Sequence, residues 1–176
     1  MAEKITIVTA NRLSREVFVE RFGPLYEHSP WVAEEAYLQR PFDGIDGLHD
    51  AMVKAVEAAP EARQMALIRA HPDLAGKAAV AGELTRESTR EQSSAGLDRL
   101  TPVEYQEFQR LNGAYKEKFG FPLIFAVREH TKETILADAE VRLHHSRQEE
   151  VETALVEISK IARLRLEDLV EQGQLQ

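Results

Sequence analysis

Along most of the chain the apolar positions recur every three or four residues, the spacing of one helical face. Ser14 opens such a stretch as an N-cap, and Gly23 stops it as a residue that accepts the left-handed C′ conformation. Ser29 followed by Pro30 reads as a cap and a first helical position, opening a helix over 31–38. Further helices are predicted over 46–58 and from Pro60 to near Ala70. Ser88 with Glu91, and Thr101 with Glu104, both match the capping-box spacing. The second box leads a long helix with Phe108, Leu111, Tyr115 and Phe119 on one face, ended by Gly120. Two more helices follow, from Thr131 and over 149–170. Only 4–9 and 123–127 look extended, and Pro122 bars a helix from running into the second. The pattern predicts an all-α fold: one compact helical domain over residues 1–176, of about eight helices and no substantial sheet.

Composition narrows the chemistry. With no cysteine among 176 residues there is no disulfide framework, thiolate nucleophile, Cys-ligated zinc or iron–sulfur cluster. A net charge of -8, spread evenly, argues against a nucleic-acid partner, which requires clustered positive charge. No apolar run approaches the length of a membrane span, and neither terminus carries a recognisable targeting signal, so the expected compartment is the cytoplasm. The six histidines include no H-x-x-x-H or H-E-x-x-H pair, and no metal is expected.

Four segments carry candidate chemistry. In the first, proline disfavours the α conformation of the residue before it, so His71 must leave its helix ahead of Pro72. It then sits at a helix C-terminus, whose dipole favours a proton on the imidazole; a surface turn is the plainer alternative. In the second, capping alone explains Ser88 and Glu91. A helix N-terminus also offers free N–H groups, with Glu91 as an acid/base and Gln92 as an amide beside them. In the third, Arg165 lies seven residues after Ile158 and falls on the buried stripe of the last helix, whereas Arg163 falls off it. An inward guanidinium needs an anion, either a core carboxylate or a bound ligand. In the fourth, the apolar stretch after Pro122 lacks intrahelical partners, so its backbone must pair with the protein or with a ligand's amide groups.

Five blocks taken in order resemble one family. They are Phe22-Gly-Pro-Leu-Tyr26-Glu-His-Ser-Pro30-Trp31, His71-Pro-Asp-Leu-Ala-Gly-Lys77, Ser88-x-x-Glu91-Gln92, Leu111-Asn112-x-x-Tyr115-x-x-Lys118-Phe119-Gly120-Phe121-Pro122, and Ile161-Ala-Arg-Leu-Arg165. Together they are similar to the 2-oxo-4-hydroxy-4-carboxy-5-ureidoimidazoline (OHCU) decarboxylases, the last enzymes of the route from urate to (S)-allantoin. The resemblance covers nearly the whole chain. It implies an all-helical homodimer working without metal or organic cofactor, with OHCU as its small-molecule substrate. It implies His71 as catalytic acid/base and Glu91 as a substrate contact, and on chemical grounds Glu91 can share the proton work. It implies substrate contacts from Pro72, Ser88, Gln92, Leu123, Ile124, Phe125, Ala126, Val127 and Arg165. Many decarboxylases borrow an electron sink from a cofactor. This substrate's own conjugated carbonyl and imine can serve instead, leaving the protein to orient, place charge and deliver a proton to one face.

Two rivals come from other classes. His-Pro-Asp also marks J-domain co-chaperones, but those carry a strongly basic helix before the motif, whereas 60–70 holds Arg63 and Arg69 against Glu61. A catalytically silent helical protein would instead pair Arg165 with a protein carboxylate and have no cavity joining His71 to Glu91. The dimer interface is not fixed by sequence, although Trp31 and the apolar faces near it are candidates.

Overall fold

The computed structural model describes residues 3–171, with side chains for all of them except Lys77 and Ala78. Among these residues are ten α-helices and two short 3-10 turns, with no sheet. The all-α expectation holds. The two helices beyond the predicted eight or so are the shortest, α1 (Ile7–Ala10) and α6 (Lys77–Ala81), each too brief to show a periodic face. The chain divides into two compact units: one holds the residues up to Ala70 and those from Ser159 on, the other is His71–Ile158. No helix among the described residues is long and apolar enough to cross a membrane.

The first unit contains α1, α2 (Arg15–Phe22), α3 (Trp31–Tyr37), α4 (Ile45–Ala58), α5 (Glu61–Ala70) and the end of α10 (Arg147–Leu169). Its core gathers Phe18, Phe22, Leu48 and Met52, with the Phe18 and Phe22 rings 4.7 Å apart. Ser14 caps α2 as predicted, accepting from the Val17 N–H. Gly23 follows that helix for a different reason from the one expected. Its φ is -56°, in the right-handed region, and the chain runs on into a 3-10 turn, Gly23–Leu25. Glycine fits here because space is tight: a Cβ at position 23 would lie 3.2 Å from the Pro30 Cβ, and Pro30 would have to give way by a few tenths of an ångström. Ser29 does not cap α3. Its hydroxyl donates back to the Glu27 carbonyl at 2.9 Å, and Pro30 is the N-cap. The 4–9 segment is not a strand either: Ile5 makes a single parallel bridge with Val170, and Thr6 then caps α1.

The second unit contains α6, α7 (Arg86–Ser94), α8 (Pro102–Phe119), α9 (Lys132–Arg142) and the beginning of α10. The predicted stripe of α8 is its buried face, with Phe108, Leu111, Tyr115 and Phe119 all in the core. The Thr101–Glu104 capping box forms in both directions, and Gly120 ends the helix at φ 80°, where glycine avoids the penalty of a Cβ. A buried ionic knot ties this unit together. Glu150, fully buried, accepts from Arg142 Nε at 2.9 Å and from the Tyr115 hydroxyl, and its other oxygen lies 2.8 Å from His145 Nδ1. Burial, then the bond to Glu150, pushes the Tyr115 hydroxyl above its ordinary range, so it remains a donor. Sequence periodicity gives no sign of this knot, since its members are spread over three helices and the turn between α9 and α10.

The cap of α8 yields a pH-dependent expectation. The Lys132 ammonium, followed by the Thr101 N–H, holds Glu104 below the ordinary carboxylate value of 4.5. Its stabilisation is therefore complete above 4.5 and is lost as the pH falls through the lowered folded value. Glu104→Gln should reduce stability to urea at neutral pH and cease to do so in acid. An equal deficit at both pH values would contradict the account.

Candidate active site

The residues of the second unit place His71 first. The chain leaves α5 at Ala70, and His71 is buried, 8% exposed, at the start of a loop that runs to Gly76. The loop is turned by an unusual backbone: Ala75 has φ 49°, in the left-handed region. Gly76 is required by close approach, since a Cβ there would meet the Asp73 Cβ at 2.7 Å.

Side chains from α7 and α8 satisfy the loop's backbone. Gln92 Oε1 accepts from the Ala75 N–H at 2.9 Å, and its Nε2 donates to the Asp73 carbonyl at 3.3 Å. Asn112 Nδ2 donates to the Leu74 carbonyl at 2.8 Å, and Gln109 Nε2 to the Ala75 carbonyl at 2.9 Å. Lys116 Nζ reaches Asp73 Oδ2 at 2.8 Å. Gln92, predicted as a substrate contact, thus spends one oxygen lone pair and one N–H on the loop that follows His71.

The reading of Ser88 as a cap needs correction. Thr85 is the N-cap of α7, accepting from the Ser88 N–H at 3.2 Å, so the helix starts earlier than predicted. Ser88 sits inside the first turn and is buried. The sequence Ser-x-x-Glu matched a box that the Thr-x-x-Ser beginning at 85 pre-empts. The consequence for chemistry is that Ser88, Glu91 and Gln92 are presented from within a helix, at spacings that share one face, rather than from free N–H groups at its tip. Glu91 is half-buried and Gln92 buried.

The extended reading of 123–127 holds up to Ala126, after which a 3-10 turn covers Val127–Glu129. Leu123, Ile124, Phe125, Ala126 and Val127 are all buried. Arg142 Nη1 donates to the Ile124 carbonyl at 2.7 Å, and the buried carboxylate of Glu157 accepts from the Ala126 N–H at 2.7 Å. Two of the backbone groups singled out as unpartnered therefore pair with the protein. The 127–129 turn packs against α7. His71 with its loop, the α7 face and the end of this segment are joined through α7, by the Gln92 bonds on one side and by the 127–129 packing on the other.

Arg165 belongs to the first unit. It is on the buried stripe of α10 as predicted, 5% exposed, while Arg163 is off it and pairs with Asp46 and Glu167. Its Nη1 lies 3.2 Å from Glu27 Oε2 and donates to the carbonyls of Pro24 at 3.2 Å and Leu25 at 3.4 Å. The carboxylate alternative is what the structure contains: Glu27 is 3% exposed. Also in this unit, a groove of about 760 Å³ is lined by Trp31, Pro41, Phe42, Asp50, Lys54 and Arg63 among others, and by none of the predicted site residues. Among the described residues no group of three or more His, Asp or Glu side chains is arranged to hold a metal ion.

Sequence reasoning missed Gln109, Asn112, Lys116 and Glu157. The available signal was a polar residue at a buried helical position, as Asn112 is next to Leu111 on the stripe of α8.

Comparison with known proteins adds to this geometry. A family model described as OHCU decarboxylase matches residues 11–167. The chain is 47% identical over 166 residues to a 2-oxo-4-hydroxy-4-carboxy-5-ureidoimidazoline decarboxylase of Halalkalicoccus jeotgali, covering 94% of this chain and 92% of that protein. It is 47% identical over 163 residues to the protein of the same description from Haloferax volcanii, covering 93% and 95%. A solved structure, a crystal structure of (S)-allantoin synthase, superposes with a TM-score of 0.74 at 31% identity. That match covers 94% of this chain and 54% of that one, so the chain spans about half the length of the solved protein.

The Arg165–Glu27 pair gives a stability expectation. Removing one member of a buried ion pair leaves an uncompensated charge and costs about 3–5 kcal/mol. Glu27→Ala should show a loss of that order in urea denaturation, and adding Arg165→Met should recover much of it. A loss no larger than that of a surface pair would contradict the assignment.

Proposed function

The chain belongs to the OHCU decarboxylase family, and on that premise we propose that His71 is its proton-transferring group, with (S)-allantoin as the product. The chain is a decarboxylase, a carboxy-lyase of urate degradation. The observation that carries the residue assignment is the position of His71. It is a buried imidazole at the head of a loop gripped by Gln92, from the helix face that also presents Ser88 and Glu91.

Losing CO₂ breaks one C–C bond and leaves its electron pair on the ring carbon. The adjoining imine of the substrate takes up that pair, and a proton must then be added to the ring. The face to which it is added decides the enantiomer. In this reading His71 performs the proton transfer and Glu91 shares it. Pro72, Ser88, Gln92 and the segment Leu123, Ile124, Phe125, Ala126 and Val127 hold the substrate. Arg165 joins that set by family resemblance, its Nη1 already committed to Glu27 and two carbonyls. No metal or organic cofactor enters the reading. We take the working form to be a cytoplasmic homodimer with neither nucleic acid nor membrane as a partner, with Trp31 and its surroundings as the candidate interface.

His71→Asn should lower turnover by about a hundredfold or more with the far-ultraviolet dichroism of the fold intact, and the allantoin still formed should be racemic. Turnover near that of the unaltered chain would sink the assignment. Sedimentation velocity should give a dimer at assay concentration, and a monomer with full activity would dismiss the dimer.

A further inference from the structure

Five residues, 72–76, connect the candidate acid/base to α6. The carbonyls of Asp73, Leu74 and Ala75 each accept from a side-chain amide, those of Gln92, Asn112 and Gln109 respectively. Ala75 is gripped at both of its backbone groups. Gln92 takes its N–H at 2.9 Å and Gln109 its carbonyl at 2.9 Å, around a residue with φ 49°. Left-handed backbone is unfavourable for any residue with a Cβ, so the conformation persists only where surrounding groups over-determine it. Gln92 already stands in the substrate-binding set. Gln109 stands outside that set, and its Nε2 is spent on the Ala75 carbonyl.

We propose that Gln109 is a positioning residue for the reaction. By holding the Ala75 carbonyl it fixes the loop that begins at His71, and so fixes the imidazole against the reacting carbon. The inference rests on the reading of His71 as the proton-transferring group. Gln109 is suited to the task by its support. It stands one turn before Asn112 on α8, a helix of 18 residues closed by a capping box at one end and a left-handed glycine at the other. Two amides three residues apart therefore reach the loop from one rigid face. The loop's other grip comes from α7, which also carries two of the proposed substrate contacts, Ser88 and Gln92.

The division predicts which parameter suffers. With Gln109 gone, the contacts from Ser88, Gln92 and 123–127 remain, so ground-state binding should be kept. What loosens is the aim of the proton, on which both the rate and the handedness of the product depend.

The test compares Gln109→Met, of similar length without the donor, with Gln109→Glu, which sets an acceptor against the carbonyl. Both are assayed beside His71→Asn by the rate and optical activity of the allantoin formed. We expect kcat to fall about tenfold in either variant, KM to stay within about twofold, and the (S) excess to drop. A thermal transition as cooperative as that of the unaltered chain identifies a folded variant, and Gln109→Glu serves if Gln109→Met does not fold. Unchanged kcat and (S) excess in a folded variant, or a loss carried by KM with the handedness intact, overturns the inference. The two readings separate cleanly. If His71→Asn is inactive while both Gln109 variants behave as the unaltered chain, positioning by Gln109 alone fails. If His71→Asn retains turnover and handedness, the reading of His71 itself fails.

Discussion

A proline placed directly after a histidine is the constraint on which the candidate site depends. Pro72 denies His71 the helical conformation and removes a backbone donor at the point where α5 has just ended. The next four residues cannot continue that helix, and α6 starts only at Lys77. Buried backbone in such a stretch must find partners. It finds them in side chains: Gln92, Gln109 and Asn112 supply amides, and Lys116 reaches the Asp73 carboxylate. One consequence is mechanical. Residues on α7 and α8 hold the backbone of the loop that begins at His71.

The segment 123–126 solves a similar problem with charge. It is apolar, extended and buried, and it has no neighbouring strand among the described residues. Arg142 satisfies the Ile124 carbonyl and Glu157 the Ala126 N–H. Arg142 is itself held by Glu150, the fully buried centre of the knot with Tyr115 and His145. Exchanging such a knot for apolar residues often costs a protein nothing in stability, whereas breaking one member is expensive. Its value here is directional, because the guanidinium that reaches Ile124 is aimed by the carboxylate behind it.

How much of this was legible follows the range of each interaction. Local signals read well: the Thr101–Glu104 box, the stop at Gly120, the stripe of α8 and the inward face of Arg165 all depend on neighbours within a few turns. Signals that need to know what lies across a gap misled. Gly23 looked like a left-handed stop and is a close-approach glycine beside Pro30. Ser88 matched a capping box, yet Thr85, three residues earlier, takes the cap. Ser29 had a cap's identity and spends its hydroxyl on Glu27. The partner of Arg165 was left open between a core carboxylate and a ligand, and the structure supplies Glu27. Of the amides that grip the His71 loop, Gln92 was legible as a site residue, whereas the loop contacts of Gln109 and Asn112 were not, because a contact between residues 74 and 112 leaves no periodic trace.

The net charge of -8 keeps its meaning in this light. An acidic chain repels an anionic substrate at long range, so attraction has to be local and the handedness of the product has to come from a fixed geometry. Handedness is therefore the most direct readout. Freshly generated OHCU, mixed with the unaltered chain and followed by circular dichroism of the allantoin formed, should give (S)-allantoin in clear excess over an enzyme-free blank. Racemic product appearing at the rate of the blank would contradict the account.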